Sequence, residues 1–176
     1  MSVKKILNAV STAVVVIVAV VVLGLVAMRL MGLQGYVVLS GSMEPVYHTG
    51  SVIYVQSKVD ASALEEGQII TFRLTGDTIA THRIIEVVEE NGAGRYRTKG
   101  DANEVADGSL VDPAQVIGTP KFSIPYLGFA LTYIQSAQGR YAAIAVGAFL
   151  LLIVFLPSLI SEKGNDKKSN TKEEQT

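Results

Sequence analysis

Between Ile6 and Met28 the chain runs for 23 residues without a charge, and no other feature constrains its fold as much. At 1.5 Å per residue, a helix of that length is roughly 35 Å long, enough to cross a hydrocarbon core of about 30 Å. A cleavable leader would carry a shorter apolar core, roughly 7–15 residues, and a small-x-small exit. Here Met28-Arg29-Leu30-Met31 follows without such an exit, so the run reads as an uncleaved anchor. A second uncharged run, Tyr141 to Ile160, is also long enough to span, and Pro157 near its end is tolerated in such helices. The alternative for this run is a buried core helix. That sits poorly with a β domain of about 110 residues, which has little room for a helix apolar all round.

Lysines sit at the outer ends of both runs: Lys4 and Lys5 before the first, Lys163, Lys167 and Lys168 after the second. Only Arg29 and Arg140 mark the inner ends. The positive-inside rule then puts both termini in the cytoplasm, in a multi-pass protein of the cell membrane, and residues 30–140 outside. The expected organisation is a stub and anchor over 1–29, an exterior β-rich domain over 30–140, a second span over 141–160 and a disordered tail over 161–176. Residues 32–139 carry seven Lys/Arg against twelve Asp/Glu, so the exterior part is acidic and nothing suggests nucleic acid. The absence of cysteine excludes disulfides, a thiol nucleophile and thiolate metal sites.

Leu30 to Ile124 reads mainly as strands and turns. Candidate strands are Tyr36–Leu39, Ser51–Val55, Ile69–Arg73, Thr78–Val88, Arg95–Thr98 and Val116–Ile117, rich in β-branched and aromatic residues. Asn91-Gly92 signals a hairpin between the fourth and fifth, and Ala61–Glu66 is expected to form a short helical turn capped by Asp60 or Ser62.

Three stretches of this region carry reactive groups: Ser40-Gly41-Ser42-Met43-Glu44-Pro45, Thr81-His82-Arg83-Ile84, and Thr98-Lys99-Gly100-Asp101-Ala102-Asn103-Glu104-Val105-Ala106-Asp107. They supply a hydroxyl, an imidazole and carboxylates, the parts needed for nucleophilic acyl transfer. A serine hydroxyl needs a base whose pKa lies near the operating pH, and histidine supplies one without large tuning. Each stretch also has an ordinary reading. Ser-Gly pairs usually mark turns. His82 on an alternating strand can be a structural histidine, and His48 reads as a surface turn residue. Lys99 and, more remotely, Lys58 are alternative bases. Asp101 and Asp107 lack the regular ligand spacing of a cation loop, so no metal or cofactor is expected.

Taken together, the three stretches resemble the type I signal peptidases, specifically the Ser-His branch of the S26 family found in the endoplasmic reticulum, archaea and some Gram-positive bacteria. The resemblance covers roughly residues 5–125. It implies a mainly β catalytic domain of the signal-peptidase fold with an N-terminal and a C-terminal transmembrane helix. It implies Ser42 as nucleophile, Ser40 as the hydroxyl at the oxyanion hole, and His82 where the bacterial Ser-Lys branch has a lysine. It favours Asp107 as the triad acid, with Asp101 as the other candidate. The implied substrates are preproteins carrying signal peptides, cleaved after a small-x-small motif beside the lipid bilayer; accessory membrane subunits are unspecified. Two positions depart from the family pattern: Gly67-Gln68 where Gly-Asp is common, and Ala102 where the acidic box often has asparagine. A catalytically silent, membrane-anchored β module is the reading from a different class.

Overall fold

The computed structural model describes residues 3–74, 76, 78–90 and 93–173. The chain divides into two compact units, one of Met1–Val26 with Tyr133–Thr176 and one of Ala27–Thr132.

The helical unit is built on α1 (Val3–Leu30) and α3 (Ala137–Glu173). Both contain stretches long and apolar enough to cross a membrane, Lys5–Leu30 and Ala137–Phe155. Neither stretch buries its side chains in protein, which removes the core-helix alternative for the second run. A hydrogen bond from Ser11 Oγ to the Val154 carbonyl, 3.2 Å, joins the two helices. α3 differs from expectation at its end. It continues past Ile160 to Glu173, through residues expected to be a disordered tail. The segment Glu162–Glu173 contains no proline, and six of its twelve residues are Lys or Glu.

The second unit is a six-stranded sheet in the order β1-β2-β6-β3-β4-β5, every pairing antiparallel. Its strands are β1 (Leu33–Val37), β2 (Val52–Gln56), β3 (Ile69–Arg73), β4 (Ile79–Glu90), β5 (Ala93–Lys99) and β6 (Val116–Ile124). The mainly β domain with terminal helices expected from the sequence is therefore present. β4 and β5 pair through Glu90 and Ala93, while the Asn91-Gly92 turn itself lies outside the described residues. Ala61–Glu66 forms turns with no continuing helix, and Asp60 is the residue that caps them. Asp60 Oδ1 takes the Ser62 N–H at 3.0 Å and the Ser62 hydroxyl at 2.6 Å, closing a local turn that competes with helix formation. A helix absent from the sequence reading, α2 (Leu127–Gln135), follows β6.

The largest departure is β6, nine residues long where two were expected. Gly118 and Pro120 interrupt its apolar pattern, yet both have a place. An added Cβ at Gly118 would collide with the Gln56 carbonyl, so only glycine allows the backbones to approach there. Val116 and Gly118 pair with β3, whereas Thr119 to Ile124 pair with β2. Pro120 thus sits where the strand has passed from one neighbour to the other, next to a register shift, a position that needs no second ladder bond.

One core cluster, on β3, β4 and β5, gathers Leu64, Ile70, Phe72, Ile84, Tyr96 and Val111, while Met43, Val52, Ile53 and Val55 are buried as well. Fully burying each such side chain contributes about 1.5–3 kcal/mol. Tyr96, wholly buried, satisfies its phenol by donating to the Ala61 carbonyl at 2.6 Å. This core fixes the face of β4 that presents position 82 and the face of β5 that presents position 98.

Candidate active site

After β1 the chain leaves the sheet, turns through residues 38–51 and returns as β2. The turn is pinned at both ends, by Val38 N–H to the Ser51 carbonyl and Gly50 N–H to the Val38 carbonyl, each 2.9 Å. Within it, Glu44 N–H bonds the Gly41 carbonyl and Tyr47 N–H bonds the Met43 carbonyl. Met43 plugs into the domain with 2% exposure, so its neighbour Ser42 is held rather than free. Ser40 is exposed and Ser42 half-buried, their hydroxyl oxygens 3.3 Å apart. Among the described residues no backbone carbonyl takes the Ser42 N–H.

His82 stands on β4 opposite Ile70, its ring in a T-shaped arrangement with that of Phe72. Its Nε2 is 3.3 Å from Ser42 Oγ and its Nδ1 is 2.6 Å from Asp107 Oδ2. Asp107 comes back to the sheet because its N–H donates to the Thr98 carbonyl at 2.8 Å. Its Oδ2 also accepts the Thr98 hydroxyl at 2.6 Å. Hydroxyl, imidazole and carboxylate therefore follow one another in contact, drawn from three separate parts of the sequence. The imidazole and carboxylate are mostly shielded, with side-chain exposures of 14% and 24%. Such a chain can move a proton from hydroxyl to imidazole and stabilise the resulting imidazolium.

Asp101 is elsewhere. Its carboxylate is gripped by the Arg83 guanidinium, Nε to Oδ1 at 2.8 Å and Nη2 to Oδ2 at 2.7 Å. That bidentate bond holds the Asp101 carboxyl below its usual range against the opposing effect of burial, and it raises Arg83 in turn. Arg83 Nη1 also donates to the Gly67 carbonyl at 2.7 Å, so one side chain ties β4, the turn before β3 and the acidic loop together. The acidic loop docks directly on the serine as well. Ala102 N–H bonds the Ser42 carbonyl at 2.9 Å, and a Cβ at Gly100 would stand 2.6 Å from that same oxygen. At the two positions that depart from the family pattern the backbone makes the contacts described: Ala102 donates to Ser42, and the Gln68 carbonyl accepts the Ile84 N–H at 2.9 Å.

The remaining candidates, Lys58, Lys99 and His48, make no hydrogen bond to the serine hydroxyl among the described contacts. Lys58 Nζ reaches the Leu30 carbonyl, and neither lysine is among the described partners of Ser42 Oγ. His48 pairs with Glu44 on the exposed rim of the turn. Among the described residues no group of three or more His, Asp or Glu is gathered as a metal site. Arg83 and Thr98 lie within the sequence motifs, but no spacing in the sequence reveals their contacts. Thr98 carried a signal, since on β5 it alternates with polar neighbours and must face the core.

Beside Ser42 and His82 opens a cleft of about 580 Å³, walled by the segment Tyr36–Ser40 on one side and by Leu74 and Thr78–Thr81 on the other. Its lining is mainly apolar, with Val37, Leu39, Ile53, Ile79 and Ala80 among the contributors. Tyr47 stands at its edge, its phenol pushed up by burial.

The family model described as "Signal peptidase, peptidase S26" matches residues 8–90, a stretch that includes Ser42 and His82. Signal peptidase I W of Bacillus subtilis (strain 168) is 39% identical over 94 residues, 53% of this chain and 46% of that protein. The rat (Rattus norvegicus) signal peptidase complex catalytic subunit SEC11C is 36% identical over 127 residues, 66% of each chain. Human (Homo sapiens) SEC11B is 30% identical over 127 residues, 66% of this chain and 76% of its own length. The chain thus spans about half to two thirds of the first two relatives.

Proposed function

For a chain that belongs to the signal peptidase family, peptidase S26, we propose the activity its site is built for: a membrane-bound serine endopeptidase that removes N-terminal signal peptides from exported preproteins. The observation that carries this reading is the contact series Ser42 Oγ, His82 Nε2, His82 Nδ1, Asp107 Oδ2, at 3.3 and 2.6 Å. The 3.3 Å step is at the long end of a hydrogen bond, as expected before a substrate draws the groups together.

In the proposed reaction Ser42 Oγ attacks the scissile carbonyl carbon while His82 Nε2 takes its proton. Asp107 holds the ring in the tautomer with the proton on Nδ1 and stabilises the imidazolium. The Ser42 N–H and the Ser40 hydroxyl receive the charge that develops on the carbonyl oxygen, each donor worth about 3–4 kcal/mol of barrier. The C–N bond then breaks and His82 gives its proton to the leaving amine. Water, deprotonated by His82, attacks the acyl-enzyme and frees Ser42. Asp101 supports the loop through Arg83 and takes no proton. The cleft beside Ser42 and His82 is where the substrate chain would lie, and cleavage after a small-x-small motif is part of the same proposal.

Both helices span the bilayer, with the two chain termini in the cytoplasm and residues 30–140 on the outer side. This assignment rests on the lysines outside each apolar run. A substrate anchored in the same bilayer is then captured in an effectively intramolecular way. Accessory membrane subunits, as the name of the rat relative indicates for that protein, are part of the same proposal. The test is cleavage of a model preprotein in detergent. Wild type should cut it, Ser42→Ala should not, and Ser40→Ala should keep measurable activity. No cleavage by wild type would reject the enzyme and leave the silent module, and equal cleavage by wild type and Ser42→Ala would reject Ser42 as the nucleophile.

A further inference from the structure

Thr98 is wholly buried, at 0% exposure. A buried hydroxyl is destabilising unless it is bonded, and in a strand the usual partner is a backbone carbonyl or a second hydroxyl. Thr71 in the same sheet follows that rule, its hydroxyl 2.8 Å from that of Thr81. Thr98 does something different. Its Oγ1 donates to Asp107 Oδ2 at 2.6 Å, the oxygen that also faces His82 Nδ1 at 2.6 Å. Its carbonyl accepts the Asp107 N–H at 2.8 Å. One residue of a packed strand thus holds the aspartate by its backbone and by its reacting oxygen.

A carboxylate on a loop can rotate about χ1 and χ2, and only some of its orientations present an oxygen to the imidazole. The backbone bond fixes where Asp107 begins, and the hydroxyl bond selects the orientation. Thr98 is suited to this because its branched side chain has little χ1 freedom and its strand is paired on β4 through Ile84. We propose that Thr98 is a positioning residue for the acyl transfer: its hydroxyl orients the Asp107 carboxylate toward His82. The proposal rests on the function given above.

Thr98→Val keeps the branched shape and removes only the hydroxyl, and Thr98→Ser restores it. In preprotein cleavage, Thr98→Val should lose about ten- to hundredfold in kcat, the worth of one hydrogen bond to a charged group. KM should stay within about twofold, and Thr98→Ser should recover most of the loss. A second readout needs no substrate. The chain has only two histidines, so the Nδ1 proton of His82 can be assigned by NMR against His48→Gln. Its downfield resonance should be present in wild type and Thr98→Ser and lost or broadened in Thr98→Val. The proposal is overturned if Thr98→Val keeps both kcat and the resonance, if Thr98→Ser is as defective as Thr98→Val, or if the loss appears in KM. Should wild type cleave no preprotein, the functional reading fails on its own, and the resonance alone decides the role of Thr98.

Discussion

The molecule contains two histidine–carboxylate pairs of nearly the same length, and they have opposite prospects. His48 Nδ1 lies 2.5 Å from Glu44 Oε2, and His82 Nδ1 lies 2.6 Å from Asp107 Oδ2. The first pair spans four residues of one turn, its side chains 63% and 39% exposed. The second joins residues 25 apart, with exposures of 14% and 24%. A pair in water interacts weakly and is screened by salt, whereas a shielded one is stronger. The decisive difference is the third partner. The far nitrogen of His82 meets the Ser42 hydroxyl, and Asp107 is braced by Thr98. Glu44 is met only by His48 and the Thr49 N–H among the described contacts. A short imidazole–carboxylate contact is therefore not distinctive by itself; the second differs in lying between a serine hydroxyl and a buried support.

The sharpest way to break this comparison is to remove each imidazole in turn. His82→Ala should lower kcat by about 10⁴-fold or more, because neither proton transfer has another base. His48→Ala should leave preprotein cleavage within about twofold of wild type. Comparable losses in the two variants, both folded by circular dichroism, would put the functional pair in the wrong place.

The carboxylates give the next largest contrast. Asp107→Asn keeps the shape and removes the charge that stabilises the imidazolium, so kcat should fall by about 10³–10⁴-fold with KM little changed. Asp101→Asn breaks the Arg83 clasp instead, and should destabilise the domain by about 2 kcal/mol while reducing activity less. The depressed Asp101 pKa makes a further point. Its contribution to stability is complete above the unfolded-state value of about 3.9 and is lost as pH falls through the lower folded value. Urea midpoints measured from pH 6 down to pH 2 should show that acid-side loss shrink in Asp101→Asn. If Asp107→Asn turned over normally and Asp101→Asn did not, the two roles would have to be exchanged.

Legibility in the sequence followed the range of the interactions. Where alternation and local turns decide, the reading holds: Ile69–Arg73 is β3 to the residue, and the apolar runs are the long helices. Where a distant neighbour decides, it does not. Pro120 and Gly118 look like strand breakers until the change of partner along β6 and the Gln56 carbonyl are seen. Asp101 stands in the acidic stretch as the second candidate for the triad acid. Its partner is Arg83, a residue already quoted beside His82, but pairing across eighteen positions leaves no spacing to read. Thr98 sits within a quoted motif, and its task depends on how the chain returns at Asp107.

The smallest expected effect lies in the exposed pair. The His48 contact, then the Thr49 N–H, hold the Glu44 carboxyl below its ordinary value. A depressed carboxylate adds stability that is complete above its unfolded value of about 4.3 and disappears as pH falls through the folded one. Glu44→Gln keeps an oxygen for the Thr49 N–H and removes the charge. At pH 7 its cleavage rate should match wild type, since no reacting atom touches Glu44. Its stability should fall less steeply than that of wild type below about pH 5, and 1 M salt should erase most of the difference, because an exposed charge is screened over roughly 3 Å there. A pair coupled to the serine would behave otherwise: its removal would change kcat at pH 7, and salt would leave the change in place. Such an outcome for Glu44→Gln would mean that the rim pair shapes the Ser42 turn, and the distinction between the two histidines would rest on degree alone.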